Sequence, residues 1–267
     1  MELNQIFSKL WEIYTTQNPS VQKVYDVFTN EGEIVLNDHI AFRTFDDPRV
    51  NIDTLSKIFL ENGYEYMQSY EFKEKKLFAK HYEHKTDKTM PRIFISELLT
   101  SNFSEFLQNK VREILDQIDY TNNNSDNLIF AGRVWDTPSY EIYQKLIEES
   151  EYAGWLYYNG FCANHFTVSV NSLNKYNTLE AVNSFIEENG FRINKSGGAI
   201  KGTPEELLEQ SSIMADKHIG EFTDGKFEIT GCYYEFAKRY ADSNGELYSG
   251  FIAKSADKIF ESTDLKK

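Results

Sequence analysis

Of the five histidines in this chain, at positions 39, 81, 84, 165 and 218, two recur in matching surroundings. His39 stands near the start of Asp38-His39-Ile40-Ala41-Phe42-Arg43-Thr44-Phe45, and His165 near the start of Asn164-His165-Phe166-Thr167-Val168-Ser169. Both segments have strand length and composition. Strand alternation puts His39, Ala41 and Arg43 on one face of the first. In the second, His165, Thr167 and Ser169 share a face, while Phe166, Val168 and Val170 point the other way into a core. One such histidine alone reads as a hydrogen-bonded, half-buried residue; two at equivalent places of a repeated unit point to shared metal ligation. Glu235, in Gly231-Cys232-Tyr233-Tyr234-Glu235-Phe236-Ala237-Lys238-Arg239, is the candidate third ligand, because a lone carboxylate among aromatics is costly. Its competing readings are a salt bridge to Lys238 or Arg239, or plain exposure. Two histidines and a carboxylate form the facial set that leaves positions open on Fe(II). Glu97 occupies the corresponding strand of the first unit, but Ile93 and Ile95 share its face, so it is expected not to be a ligand. Arg43 offers the planar fork that grips a carboxylate, with a structural ion pair as the alternative. His81 and His84, in polar company, read as an exposed turn; His218 receives no role.

The elements that must position these residues form an internal repeat. Residues 51–63 read NIDTLSKIFLENG and residues 178–190 read TLEAVNSFIEENG. Their apolar positions pair as Ile52 with Leu179, Leu55 with Val182, Ile58 with Phe185 and Phe59 with Ile186, and both end in glycine as helix C-termini do. The helices are offset by 127 positions and the two histidines by 126, so each copy has a histidine strand followed by a helix. Strands are expected at about 64–72, 76–83 and 92–98 after the first helix. After the second they are expected at 191–194, in a less defined stretch before Asp224, and as one long run over 226–240. The fold expected is α+β. Two β-α-β-β-β modules, about 36–98 and 162–240, form a curved mixed sheet around the metal site, within one domain spanning 1–267. Helices are expected over 1–31, where Leu3, Ile6, Phe7, Leu10, Trp11 and Tyr14 keep helical spacing, and in an insert over 101–150.

Composition narrows the partners. The formal charge is −14 and the pI about 4.9, which excludes nucleic acid and anionic membrane surfaces as partners. A small anionic substrate then needs a local cation such as Arg43. Cys162 and Cys232 are too far apart in sequence for a zinc knuckle and suit a reducing compartment. No basic-then-apolar leader opens the chain, and no apolar run approaches the ~18 residues of a membrane span, so a cytoplasmic protein is expected.

Four segments, NDHIAFRTF, NGFCANHFTVSVN, GCYYEFAKRY and GFIAKSADKIFESTD, together resemble the 2-oxoadipate dioxygenase/decarboxylase family, whose fold is related to the vicinal-oxygen-chelate enzymes. The resemblance covers nearly the whole chain. It implies Fe(II) held by His39, His165 and Glu235, and Arg43 as the catalytic residue that binds substrate carboxylate. It also implies a C-terminal Lys254-Ser255 motif that contacts substrate. The implied reaction consumes O2 and a 2-oxo acid, converting 2-oxoadipate to 2-hydroxyglutarate and CO2 in lysine catabolism. Only about twenty residues separate Glu235 from Ser255, where better-known members carry a long insertion, so this is a short form. The rival readings are a non-redox divalent-metal lyase or isomerase on a related fold, and a metal-free binding protein.

Overall fold

The computed structural model describes residues 1–253. The chain runs through α1 (Leu3–Gln17), α2 (Pro19–Asn30), β1 (Asn37–Phe45), α3 (Ile52–Glu61), β2 (Tyr64–Phe72), β3 (Leu77–His84) and β4 (Arg92–Leu98). An insert follows, with α4 (Glu105–Leu115), α5 (Tyr140–Glu149) and α6 (Glu151–Asn159). The second half contains β5 (Ala163–Ser169), α7 (Leu179–Glu188), β6 (Lys201–Thr203), β7 (Leu208–Ser212), β8 (Lys217–Phe222), β9 (Gly225–Thr230) and β10 (Glu235–Arg239).

Eight strands form one mixed sheet in the order β2-β3-β4-β1-β5-β10-β7-β6, while β8 and β9 form a separate hairpin. The order is nearly palindromic. β1 runs parallel to β4, β5 runs parallel to β10, and the two halves meet where β1 pairs antiparallel with β5. The repeated helices are built alike. The Asn51 side chain accepts from Thr54 N–H at the start of α3, and Thr178 accepts from Ala181 N–H at the start of α7. Both are followed by a glycine in the left-handed region, Gly63 at φ 91° and Gly190 at φ 85°. At Gly63 a side chain would also meet His84 Nε2 at 2.8 Å.

Alternation gives the sheet two unlike faces. Ile40, Phe42, Phe166, Val168, Ile93, Ile95 and Phe236 belong to the buried apolar core. Helices α1, α3 and α7 lie against β5, β4 and β10, with Trp11 edge-on to Phe166 at 5.1 Å and Phe59 near Phe42 at 5.7 Å. The opposite face carries His39, Arg43, His165, Thr167, Gln210, Ser212, Glu235 and Arg239, all buried.

Three expectations are corrected. The run 226–240 is not one strand. At Gly231–Tyr234 the backbone leaves the ladder, held by Gly231 N–H to Asp216 C=O at 2.8 Å and Cys232 N–H to the Asn18 side chain at 2.7 Å. Preceding it, β8–β9 turns away from the sheet because its aromatics find partners on the insert. Phe227 stacks on Tyr140 at 3.7 Å, and Phe222 packs on Tyr140, Tyr143 and Tyr158. The Asp224 carboxylate accepts from Tyr140 and Glu141 N–H, filling the open amides of α5. Segment 191–194 makes only a bridge, Ile193 with Ile213, and β6 and β7 supply the strands expected there. The inserted helices also continue past 150, through α6.

Asn18 ties the turn before β10 to the N-terminal helices, accepting from Cys232 N–H while donating to Tyr14 C=O at 2.9 Å. Asn18→Ala would leave a buried N–H without an acceptor. It is expected to lower unfolding free energy by about 1–3 kcal/mol, read from denaturant curves of unchanged slope.

Candidate metal centre

His39 comes from β1, His165 from β5 and Glu235 from the first position of β10. The central register sets Ala41 opposite His165 and His39 opposite Thr167, while Glu235 pairs with Thr167 from the other side. The three side chains therefore meet on one face, each offering a ligand atom within 4.8 Å of the others. His165 Nε2 lies 3.2 Å from Glu235 Oε2, and His39 Nε2 lies 3.7 Å from Oε1. They are 2, 3 and 1% exposed for His39, His165 and Glu235.

Hydrogen bonding at the far side of each ring fixes what faces the centre. His39 Nδ1 is 2.8 Å from Asp38 Oδ2, and His165 Nδ1 is 3.0 Å from Asn164 Oδ1. Burial alone would raise the Asp38 carboxyl, but the Arg239 guanidinium, His39 and Arg92 hold it well below the usual range. An ionised carboxylate only accepts, so His39 donates through Nδ1 and presents the Nε2 lone pair inward. The Asn164 amide oxygen does the same for His165. Burial lowers the affinity of both rings for a proton, His165 strongly, which keeps them in the neutral form that ligates metals. Burial likewise pushes the Glu235 carboxyl up to about 8, although Gln210 Nε2 donates to its Oε1 at 2.5 Å. Glu235 Oε2 has no hydrogen-bond partner. His39 Nε2 also meets the Thr167 hydroxyl at 3.0 Å, and an ionised Glu235 facing the two imidazole nitrogens calls for a positive charge between them, a proton or a metal ion. A divalent ion fits this donor set.

Around the trio, Asp38 accepts two bonds from Arg239, at 2.7 and 2.9 Å, with Arg92 at 3.4 Å. Register shifts at the start of β1, between Asn37 and His39, where Asp38 turns back to its own histidine. Arg239 also donates to the carbonyls of Tyr248 and Gly250, and Arg92 to that of Ser249. These bonds lay Phe251 over the site, 4.8 Å from the His39 ring and 4.8 Å from Phe94. Phe251 N–H is held by the Tyr70 hydroxyl, which in turn meets His81 Nδ1 at 2.9 Å. His81 corrects the exposed-turn expectation. β3 runs on to His84, and alternation turns His81 inward, 1% exposed, with Glu83 3.4 Å away.

Arg43 lies on the same face as His39, buried, but engaged with Glu151 at 3.0 Å from the first turn of α6. Tyr152 and Trp155 of that helix lie under its guanidinium at 4.9 and 5.1 Å. Glu97 lies on the other face, accepting from Ile52 N–H at the start of α3, 3.0 Å away. Lys254 and Ser255 lie outside the described residues. Asp38 and Asn164 went unread in the sequence, although each immediately precedes a candidate histidine; Arg239 and Glu151 carry no local signal at all.

The sequence model of the 2-oxoadipate dioxygenase/decarboxylase family matches residues 6–246. The chain is 33% identical to the rice (Oryza sativa) protein of that name, chloroplastic/amyloplastic, over 97% of this chain and 78% of the relative. The crystal structure of rice hydroxyglutarate synthase in complex with 2-oxoadipate superposes with a TM-score of 0.90 at 31% identity, covering 98% of this chain and 92% of that one. A Shewanella frigidimarina protein described as a hydrolase gives 0.89 at 46% identity, with 94 and 98% covered. A glyoxalase-superfamily protein from Ralstonia eutropha shares the fold at 0.76 and 18% identity, with 91 and 83% covered. No helix among the described residues is long and apolar enough to cross a membrane.

Glu235→Gln is expected to abolish binding of a divalent metal, whereas Glu97→Gln retains it, as elemental analysis after gel filtration would show. Asp38→Asn is expected to weaken metal affinity by about 10–100-fold, read by competition with a chelating indicator.

Proposed function

The chain belongs to the 2-oxoadipate dioxygenase/decarboxylase family, and on that premise we propose that it is an Fe(II) enzyme converting 2-oxoadipate, or a close 2-oxo dicarboxylic acid, and O2 to 2-hydroxyglutarate and CO2. The observation that carries this reading is the buried meeting of His39 Nε2, His165 Nε2 and Glu235 Oε2, three acceptors with a cation's place between them. Bound there, iron supplies the open positions at which a 2-oxo acid and O2 react. The same premise assigns the step to lysine catabolism, and two free, buried cysteines suit a reducing compartment.

The chain's own residues do three things in this reading. Asp38 and Asn164 hold the histidine rings by their Nδ1 protons, so that Nε2 alone can ligate. Phe251, Phe94 and the aromatic wall keep water from the centre, which strengthens every electrostatic contact inside. Arg43 takes a substrate carboxylate. Its plane is set by Tyr152 and Trp155, with Glu151 bonded to Nη1.

Iron-loaded protein is expected to take up one O2 and release one CO2 per 2-oxoadipate. Absence of both with metal bound would favour a non-redox lyase or isomerase. Arg43→Lys is expected to keep its iron and lose about a hundredfold in turnover, because lysine keeps the charge but not the two-point grip. Full oxygen uptake in that variant would make Arg43 a structural partner of Glu151 only.

A further inference from the structure

Two adjacent phenols at the entry to β10, Tyr233 and Tyr234, are fully buried, and neither hydroxyl has a hydrogen-bond partner. Buried polar groups in native proteins are normally satisfied by protein, by water or by a ligand. The two point opposite ways. Tyr234 lies among Trp11 and Phe236, at 5.8 and 6.0 Å, in the apolar layer beneath the helices. Tyr233 lies on the side of Glu235, its ring stacked on His165 with centroids 4.8 Å apart and planes 26° apart.

Tyr233 is also held rigidly. The Tyr14 hydroxyl donates to its carbonyl, Cys232 N–H before it is fixed by Asn18, and Tyr234 C=O after it accepts from Ile213 N–H. A stiff aromatic body packed on a candidate ligand, with an unanswered donor at its tip, suits a group that meets an oxygen anion arriving at the centre. The Nε2 atoms and Glu235 Oε2 are the acceptors of the centre, and in the function proposed above they face the metal. A substrate oxygen arriving at the centre would supply the acceptor this hydroxyl lacks.

We propose that the Tyr233 hydroxyl is a substrate-binding donor that hydrogen-bonds an oxygen of the 2-oxo acid at the His39–His165–Glu235 centre, so that this residue contacts substrate directly. The assignment rests on the function proposed above. Tyr233→Phe removes one oxygen atom and keeps the ring on His165, and Tyr234→Phe makes the same change on the other face. Each variant and the unaltered full chain are loaded with iron under argon. Metal content, melting temperature and the dissociation constant for 2-oxoadipate by calorimetry are then measured. Tyr233→Phe is expected to hold metal fully, melt no lower, and bind 2-oxoadipate about 10–100-fold more weakly, the loss for a hydrogen bond to a charged group. Tyr234→Phe is expected to bind like the unaltered chain. Unchanged affinity in Tyr233→Phe, equal weakening in both variants, or loss of metal in Tyr233→Phe would each overturn the assignment. Failure of the unaltered, metal-loaded chain to bind 2-oxoadipate would instead overturn the proposed function, taking this role of Tyr233 with it.

Discussion

Everything at the centre depends on how β1 pairs with β5. The pairing is antiparallel, with His39 opposite Thr167 and Ala41 opposite His165, so the pseudo-twofold axis of the repeat passes between the two histidine positions. A one-residue slip would send one histidine to the helix side of the sheet and dissolve the site. The core guards this register, because the intervening Ile40 and Phe166 face each other and are both fully buried. Packing on the outer face thus sets the geometry on the inner one.

Symmetry supplies the two histidines of the centre, and its breaking supplies the carboxylate. Glu235 pairs with Thr167, whose counterpart 126 positions earlier is Ala41, and Ala41 pairs with Phe94 on β4. Phe94 therefore stands where a second carboxylate would be. Its ring makes an apolar wall with Phe251 instead. The preceding residues diverge in the same way, as Asp38 and Asn164, so one histidine is backed by a charge and the other by an amide. Asp38 is tolerable in the interior because Arg239 grips it with two nitrogens, and removing one partner of such a pair costs about 3–5 kcal/mol. Asp38 and Glu235 are both buried carboxylates, yet Arg239, His39 and Arg92 keep the first ionised, while burial outweighs Gln210, Lys201 and Arg239 and pushes the second up to about 8.

The legible part of this arrangement is the part written in local periodicity. The histidine strands, both repeat helices and the three strands after α3 follow from alternation, capping and terminal glycine, and the structure places them within a residue or two. Glu97 could be set aside on parity alone, and it does face the helices. The opaque part depends on partners remote in sequence. Run 226–240 has strand composition throughout, and only the rings of α5 and the Asn18 side chain, more than 200 positions from Cys232, explain its break. His81 looked exposed because its polar neighbours suggest a turn, while its real partners are Tyr70, Glu83 and Phe251. No spacing rule links Asp38 to Arg239.

The insert gives a symmetric scaffold one cationic side. By the same offset, the counterpart of Arg43 in the second module is Ser169, a small residue at the end of β5. Arg43 is braced by α6, which belongs to neither module and brings Glu151, Tyr152 and Trp155 against it. The Tyr152 hydroxyl also bonds Ser96 C=O at 2.7 Å and accepts from Thr44 N–H, riveting that helix across β4 and β1. A buried guanidinium without such support would be too costly to keep. The two histidines are thus what the modules share, while the Glu235 carboxylate and the braced Arg43 guanidinium each belong to only one of them.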